Sequence, residues 1–212
     1  NGIHFHENSS NSVINHATIK NAIVGITVGS PSSTQPKNIT IANSVIKNMQ
    51  IAGFLGYYTH LSAYNNLFYN CGQYLLYGIG GGNYDLVQNT FAAYNFNFVR
   101  RTPAIYLSDY INTNQYATLE ASFTNNIIWG SLDDELAIEE KSGLPANIAI
   151  TNNLIKTKQT SFANGNILNQ DPLFVNARQG NFRLDENSMA NNQGVDLSSH
   201  PYFNLYLTKV IL

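Results

Sequence analysis

Charge is scarce in this chain. Asp, Glu, Lys and Arg together make up 11% of its 212 residues, less than half the usual share. The formal net charge is −2, and the only adjacent basic pair is Arg100-Arg101. A nucleic-acid partner, which needs a basic field, is therefore not expected. The single cysteine, Cys71, rules out an internal disulfide and leaves the redox compartment open. No apolar run is long enough for a transmembrane helix, and no secretory leader or lipobox is visible. Helix-period apolar stripes are scarce too, which argues against a helical fold.

What remains is asparagine, serine, threonine and short β-forming runs. Hydrophobic residues make up 43% of the chain, enough for the core of one domain of this length and too much for a disordered chain. Val, Ile, Phe, Tyr and Thr cluster in runs of four to six bounded by Gly and Asn. One pattern recurs: Asn-Asn, or Asn beside a small polar residue, then two apolar residues. It reads Asn43-Ser44-Val45-Ile46, Asn65-Asn66-Leu67-Phe68, Asn125-Asn126-Ile127-Ile128 and Asn152-Asn153-Leu154-Ile155. Degenerate copies begin at His16 and Gln88. The starting positions 16, 43, 65, 88, 125 and 152 are separated by 27, 22, 23, 37 and 27 residues.

A period of roughly 20–30 residues built from short strands is a solenoid signature. Each unit is too small to bury its own apolar face, so neighbours must stack. Asparagine suits the corners, because it tolerates left-handed backbone angles. Its amide can also bond the same residue one coil away, about 4.8 Å along the axis. A ladder of Asn43, Asn65, Asn125 and Asn152 is the resulting expectation. The alternative is that Asn is merely a common turn residue.

Through these coils the chain resembles the right-handed parallel β-helix proteins of the pectin-lyase-like superfamily. Its C-terminal part is similar to the closing segment of bacterial surface β-helix proteins, many of them predicted lipoproteins of Bacteroidetes-type bacteria. The matching residues are Asp171-Pro172-Leu173-Phe174, then Gly180-Asn181-Phe182-Arg183-Leu184, then a small-residue loop over 188–194 with Met189 where that group usually has Pro. The resemblance implies an all-β, right-handed, single-stranded parallel β-helix of about six or seven coils. Coils occupy residues 1–157, and residues 158–212 form a closing segment of the same domain. It also implies an extracytoplasmic setting: cell surface, outer membrane as a lipoprotein, or secreted. The chain opens in mid-strand at Ile3-His4-Phe5, which reads as a fragment with N-terminal coils missing.

The widest gap between repeats holds residues 94–116. A long insertion in a solenoid maps to a loop on one face, often the binding face. Tyr94, Phe96, Arg100, Arg101, Tyr106 and Tyr110 are the candidate ligand-binding residues, since aromatic rings stack on sugars while guanidinium groups engage hydroxyls or carboxylates. The competing reading is a hairpin covering the core, its arginines paired to Asp109 or to backbone. Arg100, Arg101, Tyr106 and Asp109 are weak catalytic candidates. The acidic stretch at Asp133, Asp134, Glu135, Glu139 and Glu140 reads as a solvated face. His4 and His6, with Glu7 next, fall short of a metal ligand set. The run at 78–82, GIGGG, lacks the Lys-Ser/Thr of a phosphate loop and reads as a tight corner. Arg183 is expected to pair with an acidic neighbour such as Asp185.

Catalytic members of the superfamily leave traces. Polygalacturonase-like hydrolases carry a D-D pair, G-H-G and R-I-K along successive coils; here Asp133-Asp134 stands without the other two. The expected function is thus a non-catalytic surface β-helix without a cofactor, binding polysaccharide or a cell-envelope protein through residues 94–116. The alternatives are a polysaccharide lyase, where Ca²⁺ would enter, or a glycoside hydrolase, and an accessory subunit of an outer-membrane assembly. Arginines close to Asp133, Asp134 or Glu135 in an open groove favour an enzyme; arginines buried in salt bridges oppose one.

Overall fold

A computed structural model describes residues 2–6, 8–94, 96 and 99–203. Glu7 and the end of the closing segment therefore lie outside the described residues.

Strand alternation sends every second side chain inward. In Leu119–Thr124, Leu119, Ala121 and Phe123 are buried while Glu120 is exposed. The same rhythm runs through 15 strands hydrogen-bonded into one large, mainly parallel sheet that curls around a shared core. Equivalent inward residues lie in register. One row runs Ile14, Ile41, Ala63, Leu86, Phe123, Ile150. A second runs Ile19, Ile46, Phe68, Phe91, Ile128, Ile155, Leu168. A third runs Ile3, Ile26, Phe54, Leu76, Ile105, Leu136. Three stacks of parallel strands, here called the first, second and third faces, thus enclose a single apolar interior. The repeat unit contributes one strand to each face, which is why no unit could bury its apolar side alone.

Core sizes are matched between faces. Tyr84 on the first face is fully buried, and its ring reaches the third face at Gly78. A Cβ on Gly78 would stand 2.3 Å from the Tyr84 hydroxyl, so only glycine fits opposite that ring. The GIGGG run is a corner, with Gly80, Gly81 and Gly82 at φ of 81°, 76° and 117°.

The corner between the first and second faces carries the recurrent Asn. His16, Asn43, Asn65, Gln88, Asn125 and Asn152 all have φ between 49° and 59°. They form one column, since the amide of each of His16, Asn43, Asn65 and Gln88 donates to the residue preceding the next corner, at 2.9–3.2 Å. The continuous buried ladder is not theirs, however. It belongs to the following position. Asn66, Asn89, Asn126 and Asn153 are 1–3% exposed, and Asn166 closes the series. In each, Oδ1 accepts the backbone N–H of the preceding rung at 2.8–3.0 Å. Each Nδ2 donates to a first-face carbonyl of that same preceding rung: Ile41, Ala63, Leu86, Phe123 and Ile150 in turn. The corner residue supplies the backbone angle, and its successor points inward, where an unpaired amide would be costly. Of the expected ladder, Asn65 donates to Asn43 and Asn43 to Asn15 at the surface, while Asn125 instead bonds the closing segment at Val195 in both directions, 2.9 Å each.

Residues 94–116 are not wholly an insertion. Ile105–Ser108 is a rung of the third face, paired in parallel with residues 76–78 on one side and with Leu136–Glu139 on the other. Its alternation explains this: Ile105 and Leu107 are fully buried and Tyr106 points out. A short antiparallel hairpin of Tyr110–Asn112 and Gln115–Tyr116 follows that rung. The closing segment forms a hairpin, Phe174–Asn176 with Asn181–Leu184, and then runs back along the solenoid. Leu197, Tyr202 and Phe203 cover Ala42, Tyr64 and Val87. Arg183 donates from Nε to Asn181 rather than pairing with Asp185, whose carboxylate caps Asn187.

Candidate functional site

Outward positions of the third face carry tyrosine. Tyr77 and Tyr106 are partners in register on adjacent rungs, with ring centroids 5.5 Å apart. Tyr74 stacks on Tyr77 at 4.3 Å and reaches Tyr106 at 6.1 Å. The Tyr106 and Tyr110 hydroxyls are 3.3 Å apart. All four rings are half-buried. Burial pushes the Tyr74, Tyr77 and Tyr106 phenols up, with the Glu139 carboxylate adding to the rise, so they stay protonated donors at neutral pH. At the rim, Glu139 accepts from Lys141 Nζ and from the Tyr110 hydroxyl, 2.6 Å each. These two bonds hold its carboxyl down to about 2. Lys141 Nζ also lies 4.7 Å from the Tyr110 ring centroid. The result is a ridge of rings bordered by one carboxylate and one ammonium.

Arg100 is elsewhere, in a buried clamp. Its side chain and that of Glu135 are 1% and 0% exposed and pair at 2.6 Å. Arg100 also donates to the Ala93 and Thr102 carbonyls. Glu135 accepts from the backbone N–H groups of Ala104 and Leu132. Burial raises the Glu135 carboxyl, and the guanidinium opposes that rise. The clamp ties the chain around Ala93 to that around Leu132. Glu135 thus leaves the solvated acidic face expected of it, and Arg100 is closed to any ligand. Asp109 is committed as well. Burial would raise its carboxyl, but hydrogen bonds from the Lys141 N–H and from the Ser142 hydroxyl and N–H keep it below the ordinary value. Arg101 is exposed.

Tyr94 and Phe96 sit on the second face, apart from Tyr106 and Tyr110. Tyr94 stacks with Phe96 at 5.1 Å and meets Phe182 of the closing hairpin at 6.4 Å. With Tyr69, Asn48, Asn70 and Arg178 they border a cavity of about 200 Å³. A broader depression of about 330 Å³ lies near Asp133, Lys156 and Lys158. His4 and His6 stack on each other at 4.3 Å, with His4 Nε2 3.3 Å from the Gly29 carbonyl. Among the described residues no group of three metal-ligating side chains converges, and no helix is long and apolar enough to cross a membrane.

The structure therefore divides the six ligand-binding candidates. Tyr106 and Tyr110 share the third-face ridge, Tyr94 and Phe96 the second-face cavity, Arg100 is buried and Arg101 stands apart. Sequence reasoning missed Tyr74 and Tyr77, although the alternation in YLLYGIG marks Tyr77 as outward. It also missed Tyr69, Arg178 and Phe182, which lie far apart along the chain and left no local signal. No family model, curated protein or solved structure matches this chain.

Proposed function

We propose that this protein is a non-catalytic, extracytoplasmic, right-handed parallel β-helix of the pectin-lyase-like type that holds an extended polysaccharide on its tyrosine ridge. One observation carries the reading: Tyr74, Tyr77, Tyr106 and Tyr110 group on one face, with ring centroids of the first three 4.3–6.1 Å apart. Half-buried rings are fixed in advance, so a sugar chain loses little side-chain entropy on binding them. Their hydroxyls, with Glu139 and Lys141, offer donors and acceptors to ring hydroxyls. The low charge and the asparagine-rich outer surface suit a cell surface, an outer membrane or a secreted state. A lyase or hydrolase is the weaker reading, because Arg100 and Asp109 are already engaged by the fold.

Affinity electrophoresis against a panel of neutral and acidic polysaccharides tests the proposal. At least one polymer should retard the protein, and Tyr77→Ala with Tyr106→Ala should weaken that retention about tenfold or more, the equivalent of about 1.4 kcal/mol. Release of reducing ends or unsaturated products from the bound polymer would show that the non-catalytic reading is wrong.

A further inference from the structure

The second face has a gap in its outward row. Tyr69, Ala92 and Trp129 are partners in register on successive rungs, so the small Ala92 stands between two large rings. The closing hairpin passes over that gap and leaves the cavity of about 200 Å³. Its walls are aromatic: Tyr69 and Phe182 lie 4.9 Å apart at 57°, and Tyr94 faces Phe182 at 19°. The Asn48 and Asn70 amides line it from the exposed corner, where Asn70 Nδ2 donates to Asn48 Oδ1 at 2.7 Å. Arg178 lies at the rim, its guanidinium 5.1 Å from the Phe96 ring centroid. Gly180 has φ of 78°, and a Cβ there would stand 3.2 Å from the Tyr69 hydroxyl, so glycine keeps that hydroxyl clear.

Facing rings, two amides and a guanidinium match the apolar face and the equatorial hydroxyls of a sugar ring. The volume lies below the roughly 300–1,000 Å³ of sites for drug-sized ligands, which limits the occupant to one ring. Among the described residues lining the cavity Arg178 is the one charged side chain, and its guanidinium is taken up at the rim by the Phe96 ring. We propose that this cavity binds a single neutral pyranose, independently of the tyrosine ridge on the third face. The inference shares the carbohydrate reading above but not its residues. With both sites occupied, one polymer would gain affinity through a raised effective concentration.

The test uses methyl glycosides of glucose, galactose and mannose, with glucuronic and galacturonic acids, read by saturation-transfer NMR and titration calorimetry. At least one neutral glycoside should bind one-to-one. Arg178→Ala, at an exposed position, should weaken it about tenfold. Phe182→Ala should do the same, while Tyr77→Ala and Tyr106→Ala leave it unchanged. Three results would overturn the site: no neutral glycoside binds, binding survives both cavity substitutions, or a uronic acid binds tenfold tighter than every neutral sugar. Loss of polymer retention alongside intact monosaccharide binding would remove the ridge proposal and leave this one standing.

Discussion

The same polar chemistry occurs in this molecule buried and exposed. Asn66, Asn89, Asn126 and Asn153 form a buried stack, and Asn21, Asn48 and Asn70 form a surface one, linked Asn70 to Asn48 to Asn21 at 2.7 and 3.3 Å. Ion pairs repeat the contrast: Arg100–Glu135 is 1% and 0% exposed, Lys158–Asp133 68% and 69%. Contact geometry is similar in both settings, but the consequences of loss are not. A buried group that loses its partner bears its full desolvation cost, whereas an exposed one turns to water.

Substitutions can break that contrast in order of size. Arg100→Met should cost most, about 3–5 kcal/mol in denaturant unfolding, because it strands the Glu135 carboxylate in the core. Asn126→Ala should follow at about 3 kcal/mol, from roughly 1–3 kcal/mol for each group it orphans. Chief among them is the Asn89 N–H; the Leu86 carbonyl and the Asn153 amide oxygen each lose one donor, and the latter keeps the backbone N–H of residue 126. Asn48→Gly keeps the left-handed angle and removes a half-buried amide whose partners, Asn21 and Asn70, can turn to water, so the change should stay within about 0.5 kcal/mol. Lys158→Ala should leave the unfolding midpoint unaltered. If Asn126→Ala and Asn48→Gly cost the same, burial is not what distinguishes the two stacks.

Acid sharpens the contrast in a different way. Asp109 and Glu139 have depressed carboxyls, so their contribution is present above the unfolded values of 3.8 and 4.5 and is lost as pH falls through the folded ones. For Glu139 the window runs from 4.5 down to about 2. Glu135 has the opposite sign: its carboxyl is raised, so the stability that protonation confers is lost as pH rises from 4.5 through the folded value. Glu139→Gln should flatten the stability profile between pH 4.5 and about 2 and leave the behaviour above that window as it was.

Much of the fold was legible because the solenoid repeats a local rule. An Asn, next to a second Asn or a Ser and then two apolar residues, marks four of the six corners from the first face to the second, and period-two alternation marks the rungs. The candidate sites were less legible. Residues 94–110 look like one aromatic stretch, yet the chain crosses from one face to another within them, and Tyr94 and Tyr106 end on different surfaces. Glu135 lies among acidic neighbours, and nothing local marks it as the one that turns inward.

By itself, then, the sequence determined an all-β chain, the corners and the apolar rows, since these follow from backbone preferences and side-chain periodicity. Tertiary structure decided which asparagine of each pair is buried, where Arg100 finds its partner, and which tyrosines meet. Those outcomes depend on what the neighbouring coil and the returning closing segment place opposite each residue.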